Sequence, residues 1–207
     1  MKASVILHVA TTSLIQAAVA QHSSLAAPPL PGYGVEEMQW SFKSPFGEPI
    51  FVNGTVQSIE RSLGDLDTMR PEANNEVVHP IAPGQERSVA KDIMSIQFCG
   101  VFPMANSHHI SAQIPSVMTI SGPAVIGPGP GNCVQVSCAQ GSAIWWCNDR
   151  NTTIMLPRGM EQVGDAVDAI IDQCCGETRC RMSPGFPVSG QAFADEEWNV
   201  LVKGENC

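Results

Sequence analysis

The chain has 207 residues, 43% of them hydrophobic, with eight cysteines and a formal net charge of −9. That length bounds it to one domain of ordinary size, able to bury a real core. The acidic balance repels phosphate backbones and anionic bilayers, which argues against nucleic acid or a charged membrane surface as partner.

The first residues read as a leader rather than as fold. Met1-Lys2 is a short basic start, "SVILHVATTSLIQAAVA" is apolar and small, and it closes on Ala18-Val19-Ala20. Charged start, apolar middle and small-x-small end are the plan of a secretory signal peptide, expected over 1–20 with cleavage before Gln21. The competing readings are a core helix or a membrane span. The run is too short and too dotted with Ser, Thr, His and Gln for a span. "VMTISGPAVIGPGPG" is broken by Gly and Pro, and "EEWNVLVKGENC" lacks the apolar tail that a lipid-anchor signal needs. The expectation is a secreted, extracellular chain with no membrane anchor.

Small residues and prolines dominate the next stretch, so 21–37 is expected to be a flexible tail, with a single disulfide-rich domain over 38–207. Ile50, Val52 and Val56 alternate with Phe51, Asn53 and Thr55, which predicts a half-buried strand. Asn53-Gly54-Thr55 is a glycan acceptor. Ile59, Leu63 and Leu66 then fall at helical spacing. "RPEANNEVVHPIAPGQERS" predicts a long polar loop, and "DIMSIQFCG" a strand ending at Cys99. "HHISAQIPSVMTI" is ambiguous, because Ile110, Ile114 and Val117 are spaced as on a helix while Pro115 would remove a helical hydrogen bond. "GPAVIGPGPGN" has no Lys-Ser or Lys-Thr and so is not a phosphate loop; it reads as a stiff turn into Cys133. Val134, Val136 and Cys138 alternate, Gln140-Gly141 turns, and "SAIWWCND" runs back, which predicts a hairpin. "PRGMEQVGDAVDAIIDQCC" is the clearest helix, with Pro157 in its first turn and Asp165, Asp168 and Asp172 on its solvated side. Two closing strands follow, joined by a turn at Asp195-Glu196-Glu197. The sum is an α+β fold: an antiparallel sheet with two to three helices on one face, an α/β sandwich stapled by disulfides.

Cys99, Cys133, Cys138, Cys147, Cys174, Cys175, Cys180 and Cys207 all lie downstream of the leader. An even number in a secreted chain predicts up to four disulfides, whose pairing spacing alone does not give. One local pair is expected, Cys175 to Cys180 across "CGETRC". No Cys-x-x-Cys occurs and His108-His109 stands far from the clustered cysteines, so no metal and no cofactor are expected.

Catalytic constellations are weak. There is no Gly-x-Ser-x-Gly. Ser107-His108-His109 sets a hydroxyl beside imidazoles, but sequence neighbours rarely face each other productively. Asp165, Asp168, Asp172 and Asp195 could serve glycoside hydrolysis, yet none sits in an apolar run that would raise its pKa. In "SAIWWCNDRNTT", strand alternation puts Trp145 with Cys147 on the helix-covered face and Trp146 on the other. Trp146 is therefore expected to be accessible, a candidate binding anchor. Asn151-Thr152-Thr153 is a second glycan acceptor.

"GPGPGNCVQVSC", "SAIWWCND", "AIIDQC" and "VSGQAF…EEWNVLVKGENC", with the upstream "MQWSF…NGTVQSIERSL", resemble a group of small cysteine-rich secreted proteins of filamentous fungi. The resemblance runs from about Met38 to Cys207. More distantly, a helix before a cysteine, a Ser-Gly-Gln strand, a final strand and a terminal Cys are similar to the killer toxins of smut fungi and to necrosis-inducing effectors. That likeness implies a small disulfide-held α/β sandwich acting outside the cell. The chain departs from the toxins in its extra N-terminal half, its acidity and its Cys174-Cys175/Cys180 arrangement. The expected function is a secreted, non-enzymatic, effector-like protein that binds an extracellular protein or glycan of a host or competitor. An extracellular hydrolase with an unrecognised site, or a cell-wall-associated structural protein, are the alternatives.

Overall fold

The computed structural model describes residues 26–43, 49–67, 94–120, 124–175, 185–195 and 197–207. The expected leader and the polar loop over 70–88 lie outside them. Among the described residues no helix is long and apolar enough to cross a membrane.

The centre is a six-stranded sheet. In chain order its strands are β1 (Gly34–Glu36), β4 (Met94–Cys99), β7 (Asn132–Ala139), β8 (Ser142–Asn148), β11 (Gly190–Ala194) and β12 (Trp198–Gly204), and in space they run β1-β7-β8-β12-β11-β4. β7 with β8 and β11 with β12 are the two predicted hairpins. The sheet is mixed rather than purely antiparallel, because β1 lies parallel to β7. No tight turn joins these two strands, so nothing local forces them to run in opposite directions. Among the described residues three two-stranded sheets accompany it: β2 (Gln39–Lys43) with β3 (Pro49–Asn53), β5 (Ala105–Asn106) with β10 (Pro187–Val188), and β6 (Ala124–Ile126) with β9 (Ile154–Leu156).

Three helices are described: α1 (Val56–Asp67), α2 (Ser107–Thr119) and α3 (Glu161–Cys175). The strand expected to reach Val56 stops at Asn53, because Gly54 takes φ +111° and turns the chain into α1. The ambiguous stretch is helical. Asn106 caps it by accepting from the backbone N–H of His108 and His109, and Pro115 sits inside it with its ring exposed. α3 begins at Glu161, later than Pro157 suggested, after a turn over 157–160.

One face of the sheet and the helices share a single core. Ile144, Trp146, Val200 and Val202 from the strands meet Ile110, Ile114 and Val117 of α2 and Val163, Ala166, Val167 and Ile170 of α3. α3 comes close to the sheet at Gly190. A Cβ there would stand 2.7 Å from Ile170 and 2.8 Å from the Cys174 sulfur. The Cys99–Cys174 disulfide ties the same helix end to β4.

The opposite face carries its own cluster of Cys133, Ala143, Trp145, Cys147 and Leu201. Ala26, Leu30, Tyr33, Val35 and Phe102 pack over it. The segment expected to be a loose tail is thus docked from Ala26 onward. Its prolines lower the entropy lost on ordering, and its few large apolar side chains close a face that would otherwise expose Trp145.

Candidate functional site: the outer face of the sheet

A bulge in β7 decides which cysteines reach this face. The pairing with β8 shifts between Gln135 and Ser137. Strict alternation would group Cys138 with Val134 and Val136 on the helix side. With one residue inserted, Val136 and Ser137 both turn to that side, and Cys138 joins Cys133 on the outer one. Cys133–Cys147 then bridges the two hairpin strands, and Cys138–Cys207 pins the C-terminus across it. Cys175 is also disulfide-bonded; its expected partner, Cys180, lies outside the described residues.

The Trp145 indole N–H donates to Glu205 Oε2 at 2.7 Å, so the pinned C-terminus covers that ring. Trp146 corrects the expectation. Both tryptophans are 0% exposed, and Trp146, not Trp145, faces the helices. Its Nε1 has no hydrogen-bond partner among the described residues. A ring enclosed on the helix side touches no partner, so Trp146 is core and not a surface anchor. Trp145 does share a face with Cys147, as strand alternation predicts. The expectation failed because it set the helices on the face of Trp145 and Cys147, whereas α2 and α3 pack on the face of Trp146.

A polar chain crosses the outer face. Gln191 Nε2 donates to Asn199 Oδ1 at 3.0 Å, and Asn199 Nδ2 donates to Asp149 Oδ2 at 2.7 Å. The Tyr33 hydroxyl donates to the other Asp149 oxygen at 3.0 Å. Burial, then the Asp149 charge, then that hydrogen bond push the Tyr33 phenol up to about 12. These groups satisfy one another and fix the N-terminal segment to β8, β11 and β12.

The covered area ends toward β4. There Phe98 is 48% exposed and meets the half-buried Phe193 edge-on, ring centroids 5.8 Å apart. In the segment that follows, Val101 is 64% and Met104 52% exposed. Phe102, between them, turns back to the covered cluster. Among the described residues this is the one run of chain with several large apolar side chains open to solvent. The sequence reading missed it because Phe98 sits in an ordinary strand pattern and nothing local shows that β4 is an edge.

The residues weighed for catalysis lie apart. Ser107 is buried at the start of α2 while His108 is exposed, and the His109 Nδ1 lies 3.1 Å from the Gln140 carbonyl. Asp165 pairs with Arg158 at 3.1 Å, and Asp195 is exposed in the β11–β12 turn. Among the described residues no group of three His, Cys, Asp or Glu is placed to hold a metal ion. The Gly-rich loop is packed backbone to backbone. Gly129 N–H donates to the Arg150 carbonyl at 2.6 Å, Asn148 Nδ2 donates to the Gly127 carbonyl at 2.7 Å, and a Cβ at Gly129 would collide with the end of β8. Both glycan acceptors, Asn53 and Asn151, are exposed. No family model matches this chain, and no curated protein or solved structure was found to match it.

Proposed function

We propose that this chain is a secreted, effector-like fungal protein of the cysteine-rich kind, non-enzymatic, which binds a protein of a host or competitor outside the cell. The helical layer over one sheet face is taken, on this reading, as the α/β sandwich of the killer-toxin-like folds. The observation that carries the binding role is the open apolar strip of Phe98, Val101 and Met104, with Phe193 beside it. Grouped large side chains at the rim of a stapled fold are where partner surfaces dock, and disulfides keep such a rim rigid in the oxidising space outside cells.

The test uses immobilised protein, extracellular fluid from a plant or a competing fungus, and a Phe98→Ser/Met104→Ser double variant. A component retained by the unaltered protein and reduced at least about tenfold on the variant, with the thermal midpoint preserved, is the expected outcome. Equal retention by both would move the contact elsewhere. No retention by either, together with turnover of cell-wall glycan, would replace the binder with the hydrolase.

A further inference from the structure

We propose that the exposed Phe51 ring is the platform for the chain's own sugar, the first N-acetylglucosamine of an N-linked glycan on Asn53. This rests on the secreted reading above. β2 and β3 form a two-stranded sheet in which Trp40 pairs with Val52, and both pack on the core. Alternation therefore sends Phe51 and Asn53 outward on the same side. Both are exposed there, Phe51 to 59%. Residues two apart on one strand face stand roughly 7 Å apart, about the reach of an asparagine side chain plus one pyranose ring. Ser41 is the cross-strand partner of Phe51.

The turn is fixed. Gly54 takes φ +111°, its N–H donates to the Met38 carbonyl at 2.8 Å, and its own carbonyl accepts from Trp40 Nε1 at 2.7 Å. Asn53 is thus held at the end of the strand and cannot swing its sugar away by rotating the backbone. Thr55 completes the acceptor. Its hydroxyl lies 3.3 Å from that of Ser58 at the start of α1. In glycan transfer Asn53 Nδ2 forms a bond to C1 of the sugar as the C1–O bond to a lipid diphosphate breaks. The amide loses one proton and the diphosphate leaves. A secretory-pathway transferase and its lipid-linked oligosaccharide supply the sugar. In the folded chain, the C–H face of the first sugar lies on the electron-rich face of Phe51. Asn151 is the built-in contrast: it is exposed, but Asp149 and Arg150 precede it and offer no ring.

The experiment expresses the chain behind a foreign secretion leader in a eukaryotic host, as wild type, Phe51→Ala, Asn53→Gln and the double variant. Peptide mass spectrometry reads occupancy at Asn53, and thermal unfolding reads the midpoint. Asn53 is expected to be occupied, and Phe51→Ala to lower the midpoint by about 2–4 °C more with the glycan than without it. Replacing Asn53→Gln by Asn151→Gln in the cycle should give no coupling. Enzymatic trimming to a single sugar should keep the extra Phe51→Ala loss and complete removal should abolish it, a readout that needs no Asn53 variant. An empty Asn53, or a Phe51→Ala shift equal in both backgrounds, overturns the proposal. A parallel expression with residues 1–20 as leader tests secretion separately, since the foreign leader does not depend on them.

Discussion

Tyr33 is the residue on which the docking of the N-terminal segment can be read directly. It is the sole tyrosine of the chain, so tyrosinate absorbance reports it alone. Burial and the neighbouring Asp149 charge favour the neutral phenol in the fold and push its pKa up to about 12. In the unfolded chain the phenol ionises near about 10. Between these values the unfolded state binds fewer protons than the folded one, so stability falls as pH rises. The contribution is whole below about pH 10 and gone once pH has passed through about 12. An absorbance titration of the native protein should therefore give a midpoint near 12, returning to the ordinary value in denaturant. Tyr33→Phe should remove this part of the alkaline loss. A native midpoint at the ordinary value would mean that the segment from Ala26 is not held on the sheet.

At the scale of one element, β8 is buried along its whole length, from Ser142 to Asn148. A strand with water on one face shows alternation; a strand covered on both faces shows a continuous apolar run. "SAIWWCN" is such a run, and its meaning became plain only with the docked N-terminal segment. Trp145→Ala and Trp146→Ala should each cost about 3–5 kcal/mol, because each leaves a large cavity in a different core. Thermal or denaturant unfolding of the two variants checks this. A Trp146→Ala protein as stable as the parent would reinstate an exposed ring. The helices follow from simpler signals. Pro115 left the helical spacing of Ile110, Ile114 and Val117 ambiguous. Its ring points to solvent, and packing of Ile110, Ile114 and Val117 outweighs the lost hydrogen bond.

Over the whole molecule, the disulfides divide by depth. Cys133 and Cys147 are both fully buried, whereas Cys99 and Cys207 each leave one half of their bridge in solvent. Exchange with a thiol requires access to sulfur. Limited reduction followed by alkylation and mass spectrometry should label Cys99 with Cys174 and Cys138 with Cys207 before Cys133 with Cys147. Cys207→Ser should lower stability by about 2–4 kcal/mol, since its bridge spans a sequence separation of 69 residues and holds Glu205 over Trp145. If Cys133 and Cys147 were labelled first, the outer cover would be open in solution.

The sequence alone determined what depends on near neighbours. Alternation of Val134, Val136 and Cys138 and the turn at Gln140-Gly141 set the hairpin, the 3.6-residue spacing of Val163, Val167 and Ile170 set α3, and an even set of cysteines set the expectation of disulfide staples. Tertiary structure decided what depends on distant segments meeting. Which face of β8 the helices cover is fixed by where α2 and α3 pack, and no local pattern encodes that. The bulge that turns Cys138 outward leaves no mark on composition. A proline-rich stretch reads as a tail because it has little core of its own, yet Leu30, Tyr33 and Val35 suffice once a sheet face is waiting for them. The exposure of Phe98 depends on β4 being an edge, and that is a property of the strand order, not of any residue in the strand.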